Sequence, residues 1–545
     1  MQKKIMSFLK RDLPYLVLLA AYLMSVGIFA LYGEHNLDSD MSSEMILASI
    51  LNEEGGLFSE EWYYSTELRV VSPVMLYQIG LKLFDSWHAA RTFAVAVLQI
   101  GVILSFLFMT KAAGMKESGV YCAAGLILPI SQAYAFLFAY GGFYAAYFIW
   151  ICIVFGMILR MHGSKRKVLL CVFMALSGVW GGMTGVRMIM LLGAPLMLAC
   201  SVALFDQFRR SQTGKAVIES EQFSMMLATL IHFAGMLAGY WINGHVLAQK
   251  YSFSSQNDVK LVPFGPQSVL DQMDCMLRFF GYQAGYNLLS VEGAASWAAV
   301  ALVCFSMLAV YVLLKKRVQY GLTACQQMVP LFACCALVLG ILLNGSTDRG
   351  HNGYNEVHTV AYYISGVLMM VASACMLLEK LPCRLWQHGT RTLLLLMLSA
   401  VFFLEARVYT KNDYRSSMAD YEDAAQWLVQ NGYTQGFSTF WNGNVLTEAT
   451  DGQLEMYVFS SWTHDEFGRW LQKKSHFEQL PEGKVFVYVE SMEEFLDPSP
   501  CADEQRMIYE STGGRAYEYD SAQEVLDIQK AHRAKVLEER NRQQE

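Results

Sequence analysis

Apolar residues in this chain gather into long unbroken runs instead of the narrower stripes of water-soluble helices. Eleven runs stand out, near 13–32, 92–110, 119–138, 142–161, 168–185, 188–205, 223–246, 296–314, 325–343, 358–378 and 391–408. Each approaches the length of about 20 residues that a helix rising about 1.5 Å per residue needs to cross a hydrocarbon layer about 30 Å thick. The pattern predicts an α-helical polytopic membrane protein with about eleven spans. The first run follows a basic leader and lacks a small-residue cleavage site, so it reads as a retained helix.

Beyond residue 408 the pattern changes. A helical stretch at Tyr421 to Gln430, a glycine-punctuated alternating segment at Gly436 to Leu446, a strand-like run at Lys484 to Glu490 and a charged helix from about Ala522 predict a small α/β domain. Residues 1–408 then form the transmembrane domain and 409–545 a soluble one. Lys and Arg orient the whole. Eighteen lie in the segments that are inside when the N-terminus is cytoplasmic, against nine in the longer outside segments up to residue 408. The reading is a multi-pass plasma-membrane protein with the loops 33–91 and 247–295 and the C-terminal domain on the external face.

Composition narrows the class. With 54% hydrophobic and 16% charged residues, an ordinary soluble enzyme is disfavoured. A net charge of −7 and scattered basic clusters argue against a nucleic-acid partner. Ten of the twelve cysteines lie in or beside apolar runs, where they act as small hydrophobes. Only Cys275 and Cys501 fall in polar segments, and whether they pair is left open.

The scarce charges mark the candidate chemistry. The first external loop begins with Asp38 and Asp40, followed one turn later by Glu44. A partly shielded carboxylate there is suited to take a proton from a hydroxyl, whereas the plainer reading is that these acids cap the next helix. Glu61, Tyr64 and Glu67, in "EEWYYSTEL", combine aromatic faces with carboxylates, as a sugar-binding cleft does or as an interfacial aromatic belt does. Arg187 interrupts an apolar stretch, either snorkelling or clamping a phosphate. The segment "GSTDRGHNGYNEVHTVAYY" adds Arg349 and His351 for phosphate, and Asn352, Tyr354 and Glu356 for hydroxyls. His351 and His358 stand seven apart on a glycine-rich turn with no cysteine nearby, so a divalent metal ranks below a mixed sugar and phosphate site. Asn344 in "NGS" matches a glycosylation sequon at a helix end.

The run "DSDMSSEMILASIL", the juxtamembrane "SPVMLYQIGLKLF" and Arg91 at the head of the next helix resemble the first loop of the GT-C superfamily of membrane glycosyltransferases, which includes protein O-mannosyltransferases and the aminoarabinose transferases of lipid A. Asp40 takes the place of the family's aspartate, and Ala48, Ile50 and Leu51 take the later places; Met41 stands where a second acid is usual. The resemblance extends to the plan of spans, large first and fourth external loops and an external C-terminal domain. It implies inverting transfer of a sugar from a polyprenyl-phosphate donor to a glycan, lipid or protein acceptor, with Asp40 as base, Asp38 next in rank, and Arg187 with Arg349 at the phosphate. Rival readings are a transporter or lipid-carrier flippase, and a non-catalytic glycan-binding assembly protein. Deleting 409–545 is expected to separate the last from an enzyme.

Overall fold

The computed structural model describes residues 2–65, 68–140, 142–211, 213–253, 260–287, 289–348, 356–381, 415–462, 467–491 and 498–544. Ten of the eleven apolar runs carry helix; the run 391–408 lies outside the described residues. Among the described residues, six helices are long and apolar enough to cross a membrane unaided: Asp12–Tyr32, Trp87–Ala112, Val186–Arg210, Glu221–Gln249, Glu292–Lys315 and Ala324–Gly345. A bent pair, Gln132–Ala139 with Tyr144–Leu159, supplies a seventh span if its 59° bend is counted as one crossing. The remaining runs form shorter helices. That at 119–138 breaks after Leu126, because Pro129 lacks the N–H needed to continue the ladder, and the chain restarts where the Ser131 hydroxyl accepts from the Tyr134 N–H at 3.0 Å.

The tightest helix pair is Lys167–Gly182 against Glu221–His245. Gly178 and Gly182 on the first face Gly235 and Gly239 on the second. A Cβ at Gly182 would lie 2.0 Å from the Met236 carbonyl oxygen, and one at Gly239 would lie 2.0 Å from that of Val179. Small residues four apart are what lets membrane helices approach backbone to backbone.

The C-terminal region holds a five-stranded sheet: β3 (Gln435–Thr439), β4 (Glu455–Phe459), β6 (Val485–Glu490), β7 (Met507–Glu510) and β8 (Gly514–Tyr519), in the order β4-β3-β6-β8-β7. β3 is parallel to both neighbours, and β8 runs antiparallel to β6 and β7. Helices Arg415–Gln430, Phe440–Ala449 and Ala522–Gln544 complete it. The alternating segment expected over Gly436 to Leu446 is strand only to Thr439. Thr439, extended at φ −78°, ψ 169°, then opens a helix. β6 is buried on both faces, which accounts for its unalternating "VFVYV".

A second, smaller sheet ties distant parts of the chain together. β1 (Trp62–Tyr64) in the first loop pairs in parallel with β2 (Ser252–Phe253) in the fourth, and antiparallel with β5 (Gln472–Lys473) from the C-terminal region.

Candidate active site

The first loop turns at once into the helix Ser39–Glu54, most of whose residues are buried. Asp38 caps it, its Oδ1 accepting from the Met41 N–H at 2.9 Å, and Gly55, at φ 75°, closes it in the left-handed conformation that glycine favours. The capping reading therefore holds for Asp38. Asp40 sits in the first turn, half-buried, where Arg69, His358 and Arg187 act on its carboxylate. Burial pushes the Asp40 carboxyl up, against the pull of those three cationic groups. Asp38 is also pushed up, first by burial and then by the neighbouring Asp40 charge. Glu44, one turn on and buried, is raised to about 7 by burial, opposed by Arg69 and Arg91.

The cations are held by the helix packing. Asn243 donates to the carbonyls of Leu68, at 3.1 Å, and Met183, and the Val71 N–H donates to Thr184 Oγ1 at 3.0 Å. Both bonds fasten the Arg69 segment to the Gly178/Gly239 helix pair. Arg69 lies 3.5 Å from Glu44. Arg187 follows Gly185, whose φ of 93° turns the chain, and precedes a π-helical segment at Ile189–Gly193. Its guanidinium donates to the Tyr144 hydroxyl and lies 5.5 Å from that ring. Tyr144 in turn lies within electrostatic reach of Arg69 and Asp40.

Arg91 is held by the C-terminal region. Its Nε and Nη2 make a two-pronged bond to Glu448, at 2.7 and 2.8 Å, and Nη2 also donates to the Met41 carbonyl at 3.0 Å. The Arg91 and Glu448 side chains are 1% and 3% exposed. The Tyr77 ring lies beneath the guanidinium, 5.0 Å away. Nearby, Ser39 donates to the Phe440 carbonyl, and the Trp87 N–H to Asp451 at 2.6 Å. The stretch Gly436 to Gly452 is thus where the C-terminal region docks on the first loop.

The structure draws together Asp38, Asp40, Glu44 and Arg187 from the sequence-derived set. Tyr64 is buried elsewhere, its hydroxyl accepting from the Ser59 N–H at 2.9 Å and donating to the Ser59 carbonyl at 3.2 Å. Glu61 is exposed at the start of β1. Glu356 lies beside Cys275. Glu67, Arg349, His351, Asn352 and Tyr354 lie outside the described residues. Arg69, to which the sequence gave no role, and His358, weighed there only as a metal ligand beside His351, both act on Asp40. Arg69 carried a signal, being the only Lys or Arg between residues 33 and 81. Among the described residues no group of three or more His, Cys, Asp or Glu is placed to hold a metal ion. Cys275 and Cys501 are both free thiols. Asn344 is buried and donates to Gln272 at 2.8 Å, which withdraws its sequon from solvent.

Fold and site together define a multi-pass helical membrane protein whose C-terminal region forms sheets. Among solved structures, the chain is similar to the Archaeoglobus fulgidus oligosaccharyltransferase in complex with Zn and sulfate, at 15% identity and TM-score 0.41, over 92% of this chain and 72% of that one. It is also similar to ArnT from Cupriavidus metallidurans bound to undecaprenyl phosphate, at 13% identity and TM-score 0.39, over 93% of this chain and 97% of that one. No protein-family model matches the chain, and no curated protein matches it.

Proposed function

We propose that this chain is an inverting membrane glycosyltransferase of GT-C type, acting at the external face of the plasma membrane on a polyprenyl-phosphate sugar. Asp40 accepts the proton of an acceptor hydroxyl as the hydroxyl oxygen attacks the anomeric carbon. The bond from that carbon to the phosphate oxygen breaks, and polyprenyl phosphate leaves with the electron pair. Arg187 and Arg69 meet the negative charge growing on the phosphate; guanidinium groups offer fixed donors matched to its oxygens. Residues 1–408 supply the membrane part and 409–545 the external domain.

The observation that supports this reading is the pairing, around one buried turn of the first loop, of the Asp40 carboxyl with the Arg69 and Arg187 guanidinium groups, the second of which is bonded to Tyr144. A raised carboxylate is a stronger base near neutral pH. The test is transfer from a polyprenyl-phosphate sugar by the purified protein in lipid nanodiscs. Asp40→Asn should abolish it at unchanged expression. Near-normal transfer by that variant would move the base to Asp38 or end the mechanism.

A further inference from the structure

We infer that Glu448, acting through Arg91, is a positioning residue that makes the C-terminal region an obligatory part of the Asp40 site. The inference deepens the proposed function and rests on it for the identity of the reaction, though not for the geometry. Arg91 spends its Nε and Nη2 on Glu448 while the same Nη2 donates to the carbonyl of Met41, the residue next to Asp40. One guanidinium therefore joins the turn that carries the acid to a side chain 357 positions away from Arg91 in sequence. Ser39, on the other flank of Asp40, is bonded to the Phe440 carbonyl of the same C-terminal helix. The acid is thus held on both sides from Phe440–Ala449.

The setting favours placement over mere adhesion. Arg91 and Glu448 are both almost fully buried. A buried ion pair is a weak way to glue two surfaces, since apolar side chains of similar size do as well. What apolar side chains cannot do is fix the direction of the Met41 carbonyl, and with it the turn that aims Asp40.

The experiment uses full-length protein in nanodiscs and two variants: Glu448→Gln, and the paired Arg91→Met/Glu448→Leu, which fills the seam without a buried charge and so keeps a folded protein available if the single change unfolds. Transfer from a polyprenyl-phosphate sugar is measured together with hydrogen exchange. The expected result is a kcat lower by about tenfold or more in the paired variant, the change that about 1.4 kcal/mol of barrier produces, with the donor KM unchanged. Exchange at the amides of 41–47 should be faster, while that of the Trp87–Ala112 helix keeps its rate. A folded paired variant with wild-type kcat and wild-type protection at 41–47 overturns the inference. If the wild-type protein transfers no sugar, the proposed function falls, and the exchange measurement alone decides whether Glu448 and Arg91 place the turn.

Discussion

Asp38 and Asp40 stand two residues apart on the same turn, yet their surroundings assign them different work. Asp38 is committed to a backbone N–H, whereas Asp40 is surrounded by side-chain cations. Asparagine caps a helix about as well as aspartate. Asp38→Asn should therefore fold and keep most transfer activity, while Asp40→Asn should lose at least about 100-fold, the lower end of what a general base contributes. Equal losses in parallel assays would show that the two acids work as a unit. Glu44 gives a stability test. Its folded-state value of about 7 lies above the ordinary 4.5, so between those pH values the folded state holds a proton that the unfolded state has released. Stability must then fall as pH rises through that window, by up to about 3 kcal/mol at about 1.4 kcal/mol per pH unit. The melting temperature of the wild type is expected to drop from pH 5 to pH 8, and that of Glu44→Gln to drop much less; equal slopes would refute the burial argument.

At the scale of elements, the helices were largely legible because a membrane asks for one property only, an apolar run of sufficient length. The break at Pro129 and the π-helical turn beside Arg187 were not, since both depend on local hydrogen bonding that hydropathy does not register. The spacing of Gly178 and Gly182, and of Gly235 and Gly239, is visible in the sequence, but only the structure shows that the two pairs face each other. Their contact fixes Asn243 and Thr184, and through them the Arg69 segment. Gly182→Ala would press a methyl group into the Met236 backbone and should cost about 1–3 kcal/mol or more, as overpacking does. Thermal unfolding of the variant, with Gly244→Ala as a control in open space, checks this; equal melting temperatures would argue against the close approach.

For the whole molecule, the decisive contacts run between segments that no sequence window contains. Asp38, Asp40 and Arg187 announced themselves as charges beside apolar runs. Glu448 is an unremarked acid in a soluble-looking stretch, and its partner Arg91 stood out only as part of a family resemblance at a helix head, with nothing to indicate its carboxylate. The docking also changes what truncation can teach. Removing 409–545 would leave the Arg91 guanidinium without its carboxylate, so loss of activity on deletion no longer separates an enzyme from a glycan-binding protein. Substitution is more informative. Arg91→Met and Glu448→Leu alone should each cost about 3–5 kcal/mol by stranding a buried charge, and the pair together should cost far less. A double-mutant cycle in thermal unfolding measures this, and additive losses would mean that the two groups do not depend on each other.

The small sheet β2-β1-β5 has a consequence in time. Its central strand is made early, at residues 62–64, but its last partner, at 472–473, comes about 400 residues later. At a synthesis rate of about 5–20 residues per second, one edge of β1 waits roughly 20–80 s for its neighbour. During that interval the nascent first loop has neither its outer strand nor the carboxylate that Arg91 requires. Completion of the site is thereby coupled to completion of the chain, and a chain cut short before residue 448 is a membrane protein whose Asp40 turn has not yet been set.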